Sequence, residues 1–217
     1  MKTHPSSGAT RWFLPLLIAG LAGAAALQAQ TIPNASLEEP PLAASGKSFV
    51  AAPEELLVTQ SKWGWGYGCG ICQQQVAYAE GIDAAEGTQV AFMQGDPRVA
   101  EVPRGTPALV IGVEISGLTE GNEYELQWAE ASRTADVSYG ALTVSLTDPL
   151  RPGASILLVE DSPVENKGEW KIQKHQFTAS GPVVQINYQH SIPELNSEAT
   201  GGESTLIDDL QIRSVVK

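Results

Sequence analysis

The chain has 217 residues, 13 basic and 25 acidic, for a net charge of −12, with 42% hydrophobic, 18% charged, 21 Gly and 14 Pro. That length suits one ordinary domain with a sizeable core and is too short for two large ones. The acidic balance excludes a non-specific ligand of nucleic acid or anionic membrane, the apolar content excludes wholesale disorder, and the Gly and Pro content argues against a helical bundle.

Lys2 and Arg11 precede an apolar run from Trp12 to Leu27, which ends in the small residues around Ala29. Charged, hydrophobic and small-residue regions in that order are the layout of a secretory signal peptide over 1–29. The run is short and broken by Pro15 and Gly20, which fits a membrane anchor less well. Its removal takes away two cations and no acid, leaving 11 basic against 25 acidic residues. The expected mature protein, 30–217, is one secreted or periplasmic domain with no membrane span.

Beyond a Pro-rich lead-in, short apolar or alternating runs recur with turn residues between them. They predict strands at Ile32–Leu37, Gln75–Ala79, Gln89–Met93, Ala108–Ile115, Glu123–Ala131, Ala141–Thr147, Ile156–Val159, Trp170–Thr178, Val183–Gln189 and Thr205–Ile212. In one of them Tyr124, Leu126 and Trp128 share a face opposite Glu123, Glu125 and Gln127. In another Val184, Ile186 and Tyr188 alternate with Val183, Gln185 and Asn187. Period-2 patterning with one apolar face belongs to antiparallel sheets on a core. The expected fold class is all-β, a two-sheet antiparallel sandwich.

Five short motifs occur in the order seen in galactose-binding-like jelly rolls of the carbohydrate-binding-module type. They are Ile32-Pro33-Asn34-Ala35-Ser36-Leu37-Glu38-Glu39-Pro40, Gly87-Thr88-Gln89-Val90-Ala91-Phe92-Met93-Gln94-Gly95, Gly117-Leu118-Thr119-Glu120-Gly121-Asn122-Glu123-Tyr124-Glu125-Leu126, Ala129-Glu130-Ala131-Ser132-Arg133 and Leu206-Ile207-Asp208-Asp209-Leu210-Gln211-Ile212. The chain resembles that family from residue 32 to 212. It is similar to the domains that accompany PEP-CTERM envelope proteins and, more distantly, to the calcium-dependent Stig cyclases. The usual Gly and Phe of the first motif are Ala35 and Leu37 here. The resemblance implies a jelly-roll β-sandwich and a structural calcium (Ca2+) where the first and last strands meet. Glu38 and Asp208 or Asp209 stand at the matching positions, and carboxylate oxygens are the ligands calcium prefers. Adjacent residues of a strand project to opposite sides, so at most one of the two Asp points inward. The alternative is that these acids are simply solvated.

Trp63-Gly64-Trp65-Gly66-Tyr67-Gly68 alternates aromatics with glycines. Exposed rings there would stack on sugar faces; buried ones would plug one end of the sandwich. Cys69 and Cys72 follow, the only cysteines. In an oxidising compartment they read as a short disulfide. A redox pair would want a helix N-terminus, haem attachment a His at position 73, where Gln stands, and zinc two further ligands. Gln89 and Arg133 are candidates for hydrogen bonds to sugar hydroxyls, although Arg133 also has many acids to pair with. No Gly-x-Ser-x-Gly, Walker or His-Glu-x-x-His motif occurs.

These features read as a secreted, non-catalytic module that binds carbohydrate or cell-surface glycan. The rivals are a calcium-dependent enzyme on the same scaffold and an adhesive envelope module. A deep pocket holding an acid beside Tyr78, Tyr139 or Tyr188 would favour the enzyme, and a shallow groove the sugar. The identity of the ligand and the oligomeric state are not encoded in any motif.

Overall fold

The computed structural model describes residues 30–39, 41–42, 49–51, 63–66, 69–73, 82–95, 110–132, 141–151, 153–163, 169–191 and 203–215. The leader at 1–29, the strand expected at 75–79, and the candidate contacts Tyr67 and Arg133 lie outside the described residues.

Eleven strands are described: β1 (Phe49–Ala51), β2 (Trp63–Trp65), β3 (Cys69–Gln73), β4 (Gln89–Gly95), β5 (Val110–Ser116), β6 (Glu123–Ser132), β7 (Ala141–Thr147), β8 (Ser155–Pro163), β9 (Lys171–Thr178), β10 (Val183–Ser191) and β11 (Glu203–Ser214). They form a six-stranded sheet in the order β1-β3-β4-β11-β6-β9 and a five-stranded sheet in the order β2-β5-β10-β7-β8. Each pairing is antiparallel. From β4 on, the chain passes from one sheet to the other at each step except the β7–β8 hairpin. This is an all-β jelly-roll sandwich.

The alternation along the strands decides which side chains meet between the sheets. Ile111, Val113 and Ile115 of β5 point inward, with Tyr124, Leu126 and Trp128 of β6, Leu142, Val144 and Leu146 of β7, and Val184, Ile186 and Tyr188 of β10. Trp128 is fully buried and packs edge-on to Tyr188, with centroids 5.6 Å apart. A second apolar cluster, with Cys72, Val90, Phe92 and Leu206, covers the other face of the six-stranded sheet.

Two expectations are corrected, and one open alternative is decided. Residues 33–36, read as part of a first strand, form a turn that only an isolated bridge at Thr31 ties to Ser116. Pro33 cannot donate to a ladder, and Asn34 adopts φ 50° while its amide closes on both backbone groups of Glu39, at 2.7 and 2.9 Å. The Trp-Gly segment is not an exposed loop: β2 and β3 are short strands in opposite sheets. The expected disulfide is absent. Cys69 and Cys72 are three apart on one strand, so they face opposite ways: Cys69 enters the core between the sheets and Cys72 the second cluster. Burial pushes the Cys69 thiol far above its ordinary range, and its Sγ donates to the Val110 carbonyl at 3.5 Å. A reductant is therefore expected to leave the melting temperature unchanged, and a thiol reagent to modify Cys69 only on unfolding; a reductant-induced fall in melting temperature contradicts this arrangement.

Candidate functional site

On the outer face of the five-stranded sheet, β2, β5 and β10 lie side by side. Register sets Gly64 opposite Gly112, and Gly112 opposite Asn187. Two glycines facing each other across a strand pair leave a trough where side chains would otherwise stand. The trough is an open groove of about 250 Å³ lined by Gly64, Trp65, Gly66, Gly112, Gln185 and Asn187.

The amides of β10 depend on that missing bulk. A Cβ on Gly112 would fall 2.6 Å from Gln185 Nε2 and 3.1 Å from Asn187 Oδ1. Asn187 is oriented by donating from Nδ2 to Thr147 Oγ1 at 3.1 Å, which leaves its Oδ1 over Gly112. Among the described residues the Gln185 amide makes no hydrogen bond of its own. A primary amide offers two donors and two acceptor sites, so these amides present free donors and acceptors to a ligand rich in hydroxyls.

The residues expected to touch ligand are placed differently. Trp63 and Trp65 are core residues, 4% and 5% exposed, stacked at 5.2 Å with a 15° interplanar angle. Trp63 Nε1 donates to the Pro33 carbonyl at 2.7 Å. They plug the sandwich because β2 is a strand whose odd positions point inward, leaving Gly64 outside. Gln89 is buried too: Nε2 donates to Leu37 O at 2.8 Å and Oε1 accepts from Leu42 N at 2.7 Å. It clamps the N-terminal segment rather than a ligand. The groove residues Gly64, Gly112, Gln185 and Asn187 had one signal in the sequence, the polar half of the β10 alternation.

The expected calcium ligands meet at one loop. Glu38 Oε1 accepts from Thr88 N at 2.7 Å and Gln89 N at 2.9 Å, and its Oε2 from Thr88 Oγ1 at 2.9 Å. Gly87, at φ 70°, lies under this carboxylate, leaving no room for a Cβ. Asp208 is fully buried and accepts from Glu86 N at 2.9 Å and Asp209 N at 2.8 Å. Burial pushes its carboxyl up to about 7, with Asp209 adding to the rise and backbone hydrogen bonds from residues 85, 86 and 209 opposing it. Among the described residues no cationic side chain pairs with this buried carboxyl, a setting that suits a hard cation. Asp209 turns the other way, accepting from Gln211 at 2.6 Å and Gln127 at 3.4 Å. One of the adjacent acids thus points inward and the other does not. No three His, Cys, Asp or Glu side chains converge among the described residues, so an ion held by Glu38 and Asp208 would take its remaining oxygens from backbone and water.

Glu130 is the buried acid nearest Tyr188. Trp128 Nε1 donates to Oε2 at 3.1 Å and Gln173 Nε2 to Oε1 at 2.6 Å. His175 stacks on Trp128 at 5.1 Å. Burial raises the Tyr188 hydroxyl well above its usual range, with Glu130 adding, and lowers His175, with Glu130 opposing. Glu130 and Tyr188 sit inside the packed interior and His175 is half-buried, with both carboxylate oxygens of Glu130 held by neutral donors. His190 is bonded to Thr205 Oγ1 at 2.9 Å and pushed down to about 4 by burial.

No family model and no curated protein matches this sequence. Among solved structures, the CBM22-1 xylan-binding domain of Paenibacillus barcinonensis Xyn10C aligns with 15% identity and a TM-score of 0.45, covering 73% of this chain and 89% of that one. TmCBM61, solved with β-1,4-galactotriose, aligns with 10% identity and a TM-score of 0.42, covering 84% and 97%. The enzymatically active domain of tailspike protein 4 from bacteriophage CBA120 aligns with 12% identity and a TM-score of 0.45, covering 71% and 20%. All three are under 25% identical to this chain, and the functional reading rests on the groove.

Proposed function

We propose that this chain is a carbohydrate-binding module whose ligand lies across β2, β5 and β10 on the outer face of the five-stranded sheet. The observation that supports this reading is the Gly64–Gly112 pair, which opens a groove under the Gln185 and Asn187 amides. The groove is open rather than deep, and its hydrogen-bonding groups are neutral, as a glycan's hydroxyls require. The same proposal assigns 1–29 as a secretion leader and the envelope or its surroundings as the place of action. It also assigns a stabilising calcium ion to Glu38 and Asp208, remote from the groove and structural in effect.

The test is a glycan array probed with the protein before and after chelation. Binding to one class of neutral polysaccharide is the expected result, with the signal weakened by chelation only as far as the fold loosens. Absence of any glycan signal in both conditions removes the reading.

A further inference from the structure

Among the described residues that line the groove, Trp65 alone is aromatic, and it stands between Gly64 and Gly66. With glycine on both sides of it, and Gly112 across the strand pair, no other large side chain shapes that end of the trough. A strand position fixes which face a side chain takes but leaves its rotamer open. No polar contact fixes it for Trp65, whose Nε1 is buried and makes no hydrogen bond among the described residues. What the ring does have is Trp63, on the same face two positions earlier, stacked on it at 5.2 Å with 15° between the planes. Trp63 is tethered, since its Nε1 donates to the Pro33 carbonyl at 2.7 Å.

Pro33 lies in a strained turn. Asn34 and Leu37 sit at φ 50° and 61°, a conformation that is costly for a side chain and persists only where the surroundings impose it. Here they do. Thr31 exchanges two backbone hydrogen bonds with Ser116 of β5, at 3.0 and 3.1 Å, and Leu37 N donates to Asn34 O at 2.9 Å. Asn34 closes on both backbone groups of Glu39, and Leu210 N of β11 donates to Ala35 O at 3.3 Å. The turn is thus tied to β5 in one sheet and to β11 in the other, which fixes the Pro33 carbonyl relative to both.

We propose that Trp63 is the positioning residue of the groove: the 31–39 turn holds its ring through the Pro33 carbonyl, and the stack passes that orientation to Trp65 at the groove wall. Trp63 does not itself line the groove, so it bears on affinity without contact, through the placement of a neighbour. This accounts for a tryptophan at position 63, where Phe would fill the core and stack but offer no N–H to Pro33. The effect on binding rests on the proposed glycan reading; the tether and the stack do not.

Two variants separate the tether from the bulk. Trp63→Phe keeps a ring to stack and removes the N–H, whereas Asn34→Ala keeps both indoles and loosens the turn that presents Pro33. Near-ultraviolet circular dichroism, without glycan, reads the stack. The coupled indole signal should weaken in Asn34→Ala while the far-ultraviolet spectrum stays that of the wild type, and an unchanged indole signal overturns the tether. Calorimetric titration well below the melting temperature, with the oligosaccharide that binds best on the glycan array, reads the groove. Each variant should bind about tenfold more weakly, as the loss of one hydrogen bond implies. The double variant should lose no more than either alone, because both act through one carbonyl. Val144→Ala, an inward-facing cut on β7, controls for lost stability: it lowers the melting temperature and leaves affinity unchanged. Wild-type affinity in Trp63→Phe, additive losses in the double variant, or an equal loss in Val144→Ala overturns the proposal. If even the wild type binds no glycan, the function reading falls, and the dichroism of Asn34→Ala decides the tether by itself.

Discussion

Replacing Gly112 with Val is expected to weaken glycan binding about 100-fold while the melting temperature hardly moves. The added Cβ would lie 2.6 Å from Gln185 Nε2 and 3.1 Å from Asn187 Oδ1. The first contact is with the far end of a flexible side chain, which swings aside without moving the backbone. Gly112 is not among the glycines at positive φ, and Val favours a strand where Gly does not. The fold therefore absorbs the change, while the groove fills and both amides are displaced. Two hydrogen bonds at about 1.4 kcal/mol each amount to about 100-fold in affinity. Calorimetric titration with the best ligand of the array decides it. Undiminished binding by a folded Gly112→Val protein places the ligand elsewhere.

The second large effect concerns Asp208, whose carboxyl burial pushes up to about 7. An acid whose folded pKa lies above its unfolded value, here 3.8, contributes stability that is complete below about pH 4. That stability is lost as pH rises toward 7, by an amount on the order of 4 kcal/mol. His190 works in the opposite sense. Burial lowers it from 6.5 to about 4, so its contribution is present above pH 6.5 and is lost as pH falls, by about 3 kcal/mol. In chelated wild-type protein the two nearly cancel between pH 4 and 7. Asp208→Asn removes one of them, and the chelated variant should gain stability steadily as pH rises across that window. At pH 7, calcium should raise the wild-type melting temperature by several degrees and leave Asp208→Asn unmoved. Denaturation in chelator and in calcium, at each pH, measures both. Superimposable wild-type curves with and without calcium remove the ion from Glu38 and Asp208.

How much of this was legible beforehand differs from residue to residue. Trp128, Tyr188, Ile186 and Val144 were readable as core because period-2 alternation is local, and a strand with one apolar face has one way to bury it. That Glu38 and Asp208 come to one stretch of chain was readable through the order of motifs: both accept hydrogen bonds from the backbone of residues 86–89. Of the two readings of Trp63 and Trp65, rings open to a sugar or rings plugging the sandwich, the buried one holds, although glycines between aromatics also suggest a loop. Three residues of Trp-Gly-Trp, with a neighbour to pair with, are equally a strand showing its rings to the core. The Cys-x-x-Cys spacing misled for the same reason: in a turn the thiols could meet, but on β3 they face apart.

By itself, the sequence determined the all-β class, the acidic surface and the inward faces of the long strands, since each follows from residue type and near-neighbour spacing. Only the tertiary structure decided that Gly64 lies opposite Gly112, that Gln185 and Asn187 roof the gap between them, and that Gln89 clamps rather than binds. Those relations join segments far apart in the chain, and strand order and register, which no local pattern encodes, set them.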